Sequence, residues 1–159
     1  MSNMVKKIAA VGALLTLCLV IFGCTESTMG VNIDKETRAI TLTADQPTNA
    51  VVTMDFEVGE GGGYAFALHL DQGTYRVKLQ ILDENEEVYT AYEKEDINSD
   101  LTYSDVIEPG TYTLSVLGMD AVGKFKIQSF DPADTSADEI VEELQEAVNE
   151  KTTSEKDAA

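Results

Sequence analysis

Between Val51 and Val58 apolar and polar residues alternate strictly. Val52, Met54, Phe56 and Val58 fall on one side and Thr53, Asp55 and Glu57 on the other, the pattern of a half-buried β-strand. The device recurs in YAFALHL, with Tyr64, Phe66, Leu68 and Leu70, and in TYRVKLQIL, with Tyr75, Val77, Leu79 and Ile81. VNID and RAITLTA flank Lys35 and Glu36 as the arms of a hairpin do, and Pro47 is expected to break the pattern that follows. Turn chemistry separates the other runs: GEGGG at 59–63 reads as a hairpin turn, Asp71 to Gly73 as a tight turn, and DENEE as a turn with Asn85 in the left-handed conformation. VYTAY, IEPGTYTLSVLG and GKFKIQSF complete the set, with Tyr112, Leu114 and Val116 facing Phe125 and Ile127 by pattern. Seven to nine short strands with no helix between them predict an all-β fold, an antiparallel, jelly-roll-like β-sandwich. A closed barrel is the alternative.

From Asp131 the period changes. Ser136 and Glu139 have the spacing of a capping box, and Ile140, Leu144 and Val148 recur at helical steps. One amphipathic helix to about Asn149 is expected, with Asp138 and Glu139 suiting its dipole. Glu139 with Glu143, Glu142 with Glu146, and Glu146 with Glu150 are like-charge neighbours, each costing a few tenths of a kcal/mol. The helix is therefore marginal alone, and its stripe is expected either to pack on the sandwich or to dock on a partner. From Lys151 a disordered tail is expected.

At the other end, Lys6 and Lys7 precede an uncharged apolar run from Ile8 to Phe22. It falls short of the roughly 20 residues of a membrane span and stops at Gly23 and Cys24, the layout of a signal peptide. The residues IFGC resemble the lipobox of bacterial lipoproteins, and the resemblance implies that Cys24 is the lipid attachment site and first mature residue. Of the two cysteines, Cys18 lies inside the apolar run. Organisation follows as signal peptide 1–23, tether 24–30, β-sandwich 31–130, and acidic helix with tail 131–159. The implied location is the bacterial cell membrane or outer membrane, facing outside the cytoplasm, with the chain held by its acyl groups at about 0.8 kcal/mol per buried CH₂.

Charge narrows the partners. A formal net charge of −18 repels phosphate backbones, so no nucleic-acid partner is expected. It repels anionic headgroups too, leaving the lipid as the only membrane tie.

A second resemblance covers Val51 to Phe130. YRVKLQILDENEEVY followed by IEPGTYTLSVLGMDAVGKFKIQSF resembles bacterial pre-peptidase C-terminal domains, small secreted β-sandwiches. That resemblance implies no catalytic role and a part in binding, targeting or folding.

Candidate chemistry is sparse. His69 is the single histidine, and with no Gly-X-Ser-X-Gly elbow it reads as an exposed or groove-lining side chain rather than a triad member. One Cys and one His cannot build a zinc cluster. GEGGG lacks the Gly-Lys-Ser/Thr ending of a phosphate loop. Asp96, Asn98 and Asp100 have the one-three-five spacing of calcium ligands, but Leu101 stands where an EF-hand requires Gly, leaving a looser loop site or an ordinary solvated loop. Asp83, Asn85 and Glu87 have similar spacing. No catalytic residue, metal site or cofactor is assigned. The expected function is a non-enzymatic binding or accessory module for an extracellular protein or glycan. Alternatives are a structural or assembly subunit docking through the C-terminal helix, and a glycan hydrolase, for which a Trp-free sandwich is poorly equipped.

Overall fold

The computed structural model describes residues 29–150. Cys24, the expected signal peptide and the expected tail from Lys151 lie outside them. Among these residues six strands and one helix follow in order: β1 (Gly30–Asp34), β2 (Ala39–Val58), β3 (Gly63–Leu82), β4 (Val88–Ile97), β5 (Leu101–Val106), β6 (Gly110–Phe130) and α1 (Ala137–Asn149). All pairing is antiparallel, in the order β1-β2-β6-β3-β4 with β5 also on β3. The fold is antiparallel β with a short C-terminal helix.

Three strands are twice the expected length, which is why six are found where seven to nine were read. β2, β3 and β6 each run through a corner where the register slips, near Ala44 to Ala50, Leu70 to Thr74 and Gly118 to Ala121. Each half makes one strand of a layer. One layer holds β1, the first half of β2, the second half of β6, the first half of β3, and β5. The other holds the second half of β2, the first half of β6, the second half of β3, and β4. The core lies between them: Ile40, Leu42, Phe66, Leu68, Phe125 and Ile127 meet Val52, Met54, Phe56, Val77, Leu79, Leu114 and Val116 in one cluster. Tyr112, Leu114 and Val116 thus do share the core with Phe125 and Ile127, as two halves of a single strand.

The expected breaks become bends. Pro47 does not end its strand; β2 continues past it, because an irregular corner tolerates a residue without an N–H. Asp71 to Gly73 is likewise a corner and not a hairpin turn. A reciprocal pair fixes the same end, with Asn49 Nδ2 donating to Asp120 Oδ1 and Asp120 N–H donating to Asn49 Oδ1, both at 3.0 Å. GEGGG is a turn, yet β2 and β3 are not paired to each other; both pair with β6, so the turn carries the chain from one layer to the other. Gly62 adopts φ 74° there, and a Cβ would overlap the Ile107 carbonyl. In the β3–β4 hairpin, Glu86 rather than Asn85 takes the left-handed conformation, because Asp83 Oδ1 accepts from the N–H groups of Asn85 and Glu87 and closes the turn around them.

α1 starts at Ser136, whose hydroxyl accepts from Glu139 N–H at 3.2 Å. Ile140, Leu144 and Val148 are buried on Ala65, Ala67 and Phe130, on the outer face of the layer that holds β5. Two alanines give the helix a flat seat. Its stripe is spent internally, which removes the apolar surface that a docking role required. Leu144 is fully buried, so Leu144→Ala is expected to cost about 2–3 kcal/mol, near the low end for a buried leucine because the seat is shallow. Denaturant unfolding reads this directly, and a loss under about 0.5 kcal/mol would mean that the helix is not seated.

Candidate functional site

The helix makes the two outer faces unequal. Residues that point away from the core on the layer without the helix form rows across four strands. Thr53, Ser115, Lys78 and Glu93 make one row, and Asp55, Thr113, Gln80 and Thr90 the next; Val51, Leu117 and Arg76 lie toward the corner. Strand alternation sends these side chains outward because Val52, Met54, Leu79 and Leu114 must point inward. Some of these side chains are bonded to one another. The Arg76 guanidinium lies 3.2 Å from Glu93 and 3.3 Å from Glu95, Lys78 lies 3.9 Å from Glu93, Gln80 donates to Thr90 at 3.1 Å, and the Thr53 and Ser115 hydroxyls are 3.4 Å apart. Exposed ion pairs of this kind add only about 0–1 kcal/mol to stability. They set donors and acceptors side by side on a face that no element among the described residues covers.

At the corner, His69 stands between two carboxylates. Its Nδ1 is 3.1 Å from Asp100 Oδ2 and its Nε2 is 3.1 Å from Asp71 Oδ1, while the other Asp100 oxygen accepts from Leu70 N–H at 2.9 Å. Only the imidazolium can donate to both acids, so the hydrogen bond to Asp100 is the main cause that raises the His69 pKa above its usual 6.5. The Leu70 N–H is the main cause that lowers Asp100. The groups around the adjoining hollow of about 290 Å³ are Asp45, Lys124 and Glu150. His69 is groove-lining, as expected, and partly exposed at 32% of its side chain.

The sign of the linkage follows. A raised pKa means that the His69 contribution is full below about 6.5, the unfolded value, and is lost as pH rises through the folded one. Wild type should lose melting temperature relative to His69→Gln as pH rises above about 6.5. Parallel curves for the two proteins would remove this role.

The calcium-like spacing is not brought together. Asp100 is engaged by Leu70 and His69, while Asp96, with φ 52°, lines a separate hollow with Arg76, Glu95 and Met119. Among the described residues no three His, Cys, Asp or Glu side chains are grouped so as to hold a metal ion. Asp83, Asn85 and Glu87 serve the hairpin turn. Sequence reading missed the partners of His69, of which Asp100 lies 31 residues away, and missed the uncovered face, whose rows depend on β6 lying between β2 and β3.

No protein-family model matches the chain, and no curated protein matches it. Among solved structures, a protein from Sulfurospirillum deleyianum is similar over 58% of this chain and 97% of its own, at 9% identity and TM-score 0.41. A family 29 carbohydrate-binding module is similar over 68% of this chain and 82% of its own, at 14% identity and TM-score 0.35. A CBM4 structure is similar over 67% of this chain and 77% of its own, at 10% identity and TM-score 0.33. Similarity at that level bears on neither ligand nor activity.

Proposed function

We propose that this chain is a bacterial lipoprotein, held at the outside of a membrane through Cys24, whose sandwich is a non-enzymatic binding module for a protein or glycan. The observation that carries the binding role is the unequal covering of the two layers. α1 seals one outer face with a dedicated apolar stripe, while the other keeps ordered rows of Thr, Ser, Gln, Lys, Arg and acids in the open. Side chains that stand on sheet-paired backbone have less conformational entropy to lose when a ligand lies across them than side chains on a loop would. The anchor rests on the sequence: a basic start, an apolar run too short to span, and Cys24 at its end. The assembly reading loses its main support because Ile140, Leu144 and Val148 are buried in the protein's own second cluster.

Two measurements test the proposal separately. Cys24→Ala should move the protein from the membrane fraction into the medium or periplasm; a variant that stays membrane-bound at wild-type size contradicts the anchor. The purified protein should retain an envelope protein or a glycan-array member, with retention lost in Lys78→Glu/Gln80→Glu and kept in a variant of the exposed helix side, Glu142→Lys/Gln145→Lys. Equal loss in both variants would contradict the binding face.

A further inference from the structure

Among the described residues the two layers have four edges, and three of them are defended. β1 has five residues and β5 six, too short to template a long partner. β4 is longer but slips register twice against β3, carries Lys94, and is distorted at its penultimate residue, Asp96, with φ 52°. These are the usual devices against strand addition. The fourth edge is the second half of β2. β1 covers β2 only from Ala39 to Thr43, and from Ala50 to Val58 β2 pairs with β6 on one side and with no strand among the described residues on the other. Its register there is unbroken for nine residues, and it contains neither Pro nor Lys.

We infer that this edge takes up an extended, basic segment of another protein as an added antiparallel strand. The inference deepens the binding role proposed above, naming protein as the ligand class and the edge of the uncovered layer as its seat. The chemistry of the recognised segment can be read from β2. An added strand places its residues opposite those of the edge, alternating between the core side and the outer face. On the core side it extends the row of Phe56, Met54 and Val52, which are already buried by the protein itself, and apolar residues suit it there. On the outer face it meets Glu57, Asp55, Thr53 and Val51. Asp55 is exposed and has no ion-pair or hydrogen-bond partner among the described residues; Glu57 has only an exposed contact with Arg38 at 3.8 Å. Lys or Arg is therefore fitted opposite both. Beside Val51, a hollow of about 330 Å³ lined by Asn49, Ala50, Val51, Leu117, Gly118 and Met119 is apolar in its walls and takes a leucine-sized side chain. Read antiparallel, the segment is basic, apolar, basic, apolar, any, apolar, apolar. A second copy of this chain fits badly, because an edge-to-edge pair would set Asp55 and Glu57 against their own copies on a molecule already at −18.

The test uses the full-length protein in mild detergent and three labelled peptides, read by fluorescence anisotropy and amide hydrogen exchange. The first peptide carries Lys-Val-Lys-Val-Thr-Val-Leu. The second keeps its charge but replaces alternate valines with proline, which cannot pair. The third replaces Lys with Glu. The expected result is binding of the first at least tenfold tighter than of either other, slowed exchange confined to Ala50–Val58 and its neighbours, and at least tenfold weaker binding by Asp55→Lys/Glu57→Lys with its melting temperature unchanged. Equal binding of the proline peptide would overturn the inference, because it means charge attraction alone. So would protection at β4 or β5, or sedimentation showing a dimer that the double variant abolishes. A failed peptide test beside a retained envelope or glycan ligand that needs Lys78 and Gln80 removes the edge and leaves the binding module standing.

Discussion

Phe66→Ala should unfold the protein at a markedly lower temperature, with a loss of about 3–5 kcal/mol, as for other buried phenylalanines cut to alanine. Phe66 is 1% exposed and its ring lies 5.0 Å from Tyr92, 5.7 Å from Tyr103 and 5.4 Å from Phe125. Those rings come from both layers, since Tyr92 stands on β4 and Tyr103 on β5, and they are 4.5 Å apart. Phe66 is the plug on the side where the layers meet, so removing it leaves a cavity that bent strands cannot close by sliding. For a chain of this size the loss corresponds to a fall of roughly 10–20 °C. Circular dichroism melting measures it, and a fall below a few degrees would mean that the layers do not share one core.

Gly73→Val should be nearly as damaging, for a backbone reason. Gly73 has φ 78°, and a Cβ there would overlap the Asp120 carbonyl at the bend of β6. A β-branched residue with positive φ costs about 1–3 kcal/mol, and forcing two bent strands apart adds about 1–3 more. Asp120 N–H would be pulled from Asn49 at the same time. The discriminating control is Gln72→Ala one residue earlier, which is exposed and should cost under about 0.5 kcal/mol. Similar losses for both variants would argue against a corner held by close backbone contact.

The period-two runs carried the strands, and the Ser136 cap with the Ile140, Leu144 and Val148 stripe carried the helix, because both signals are local. The corners are ambiguous in sequence for a physical reason. A bend and a hairpin draw on the same residues, those that tolerate positive φ or lack an N–H, so Asp71 to Gly73 and Pro47 look alike in either role. One clue was present. In β3 the core positions pass from even numbers, Tyr64, Phe66 and Leu68, to odd ones, Tyr75, Val77 and Leu79; in β6 they pass from Tyr112, Leu114 and Val116 to Phe125 and Ile127. A one-residue slip of parity inside a continuous strand marks a bulge. The site was less legible, because its geometry is made by distant pairings. His69 meets Asp100 through the β4–β5 link, and the rows on the uncovered face exist only because the last strand inserts between the second and third. Asp96, Asn98 and Asp100 show the converse, a spacing that suggests convergence and a fold that gives Asp100 other partners.

α1 covers one outer face of the sandwich, and the proposed binding role falls on the other. The most direct measurement places a photo-activated crosslinking side chain at Thr113, in the middle of the uncovered face, or at Gln145, on the exposed side of the helix, in cells that make the protein. Adducts of higher mass are predicted from Thr113 and not from Gln145. Adducts from Gln145 alone would contradict the account.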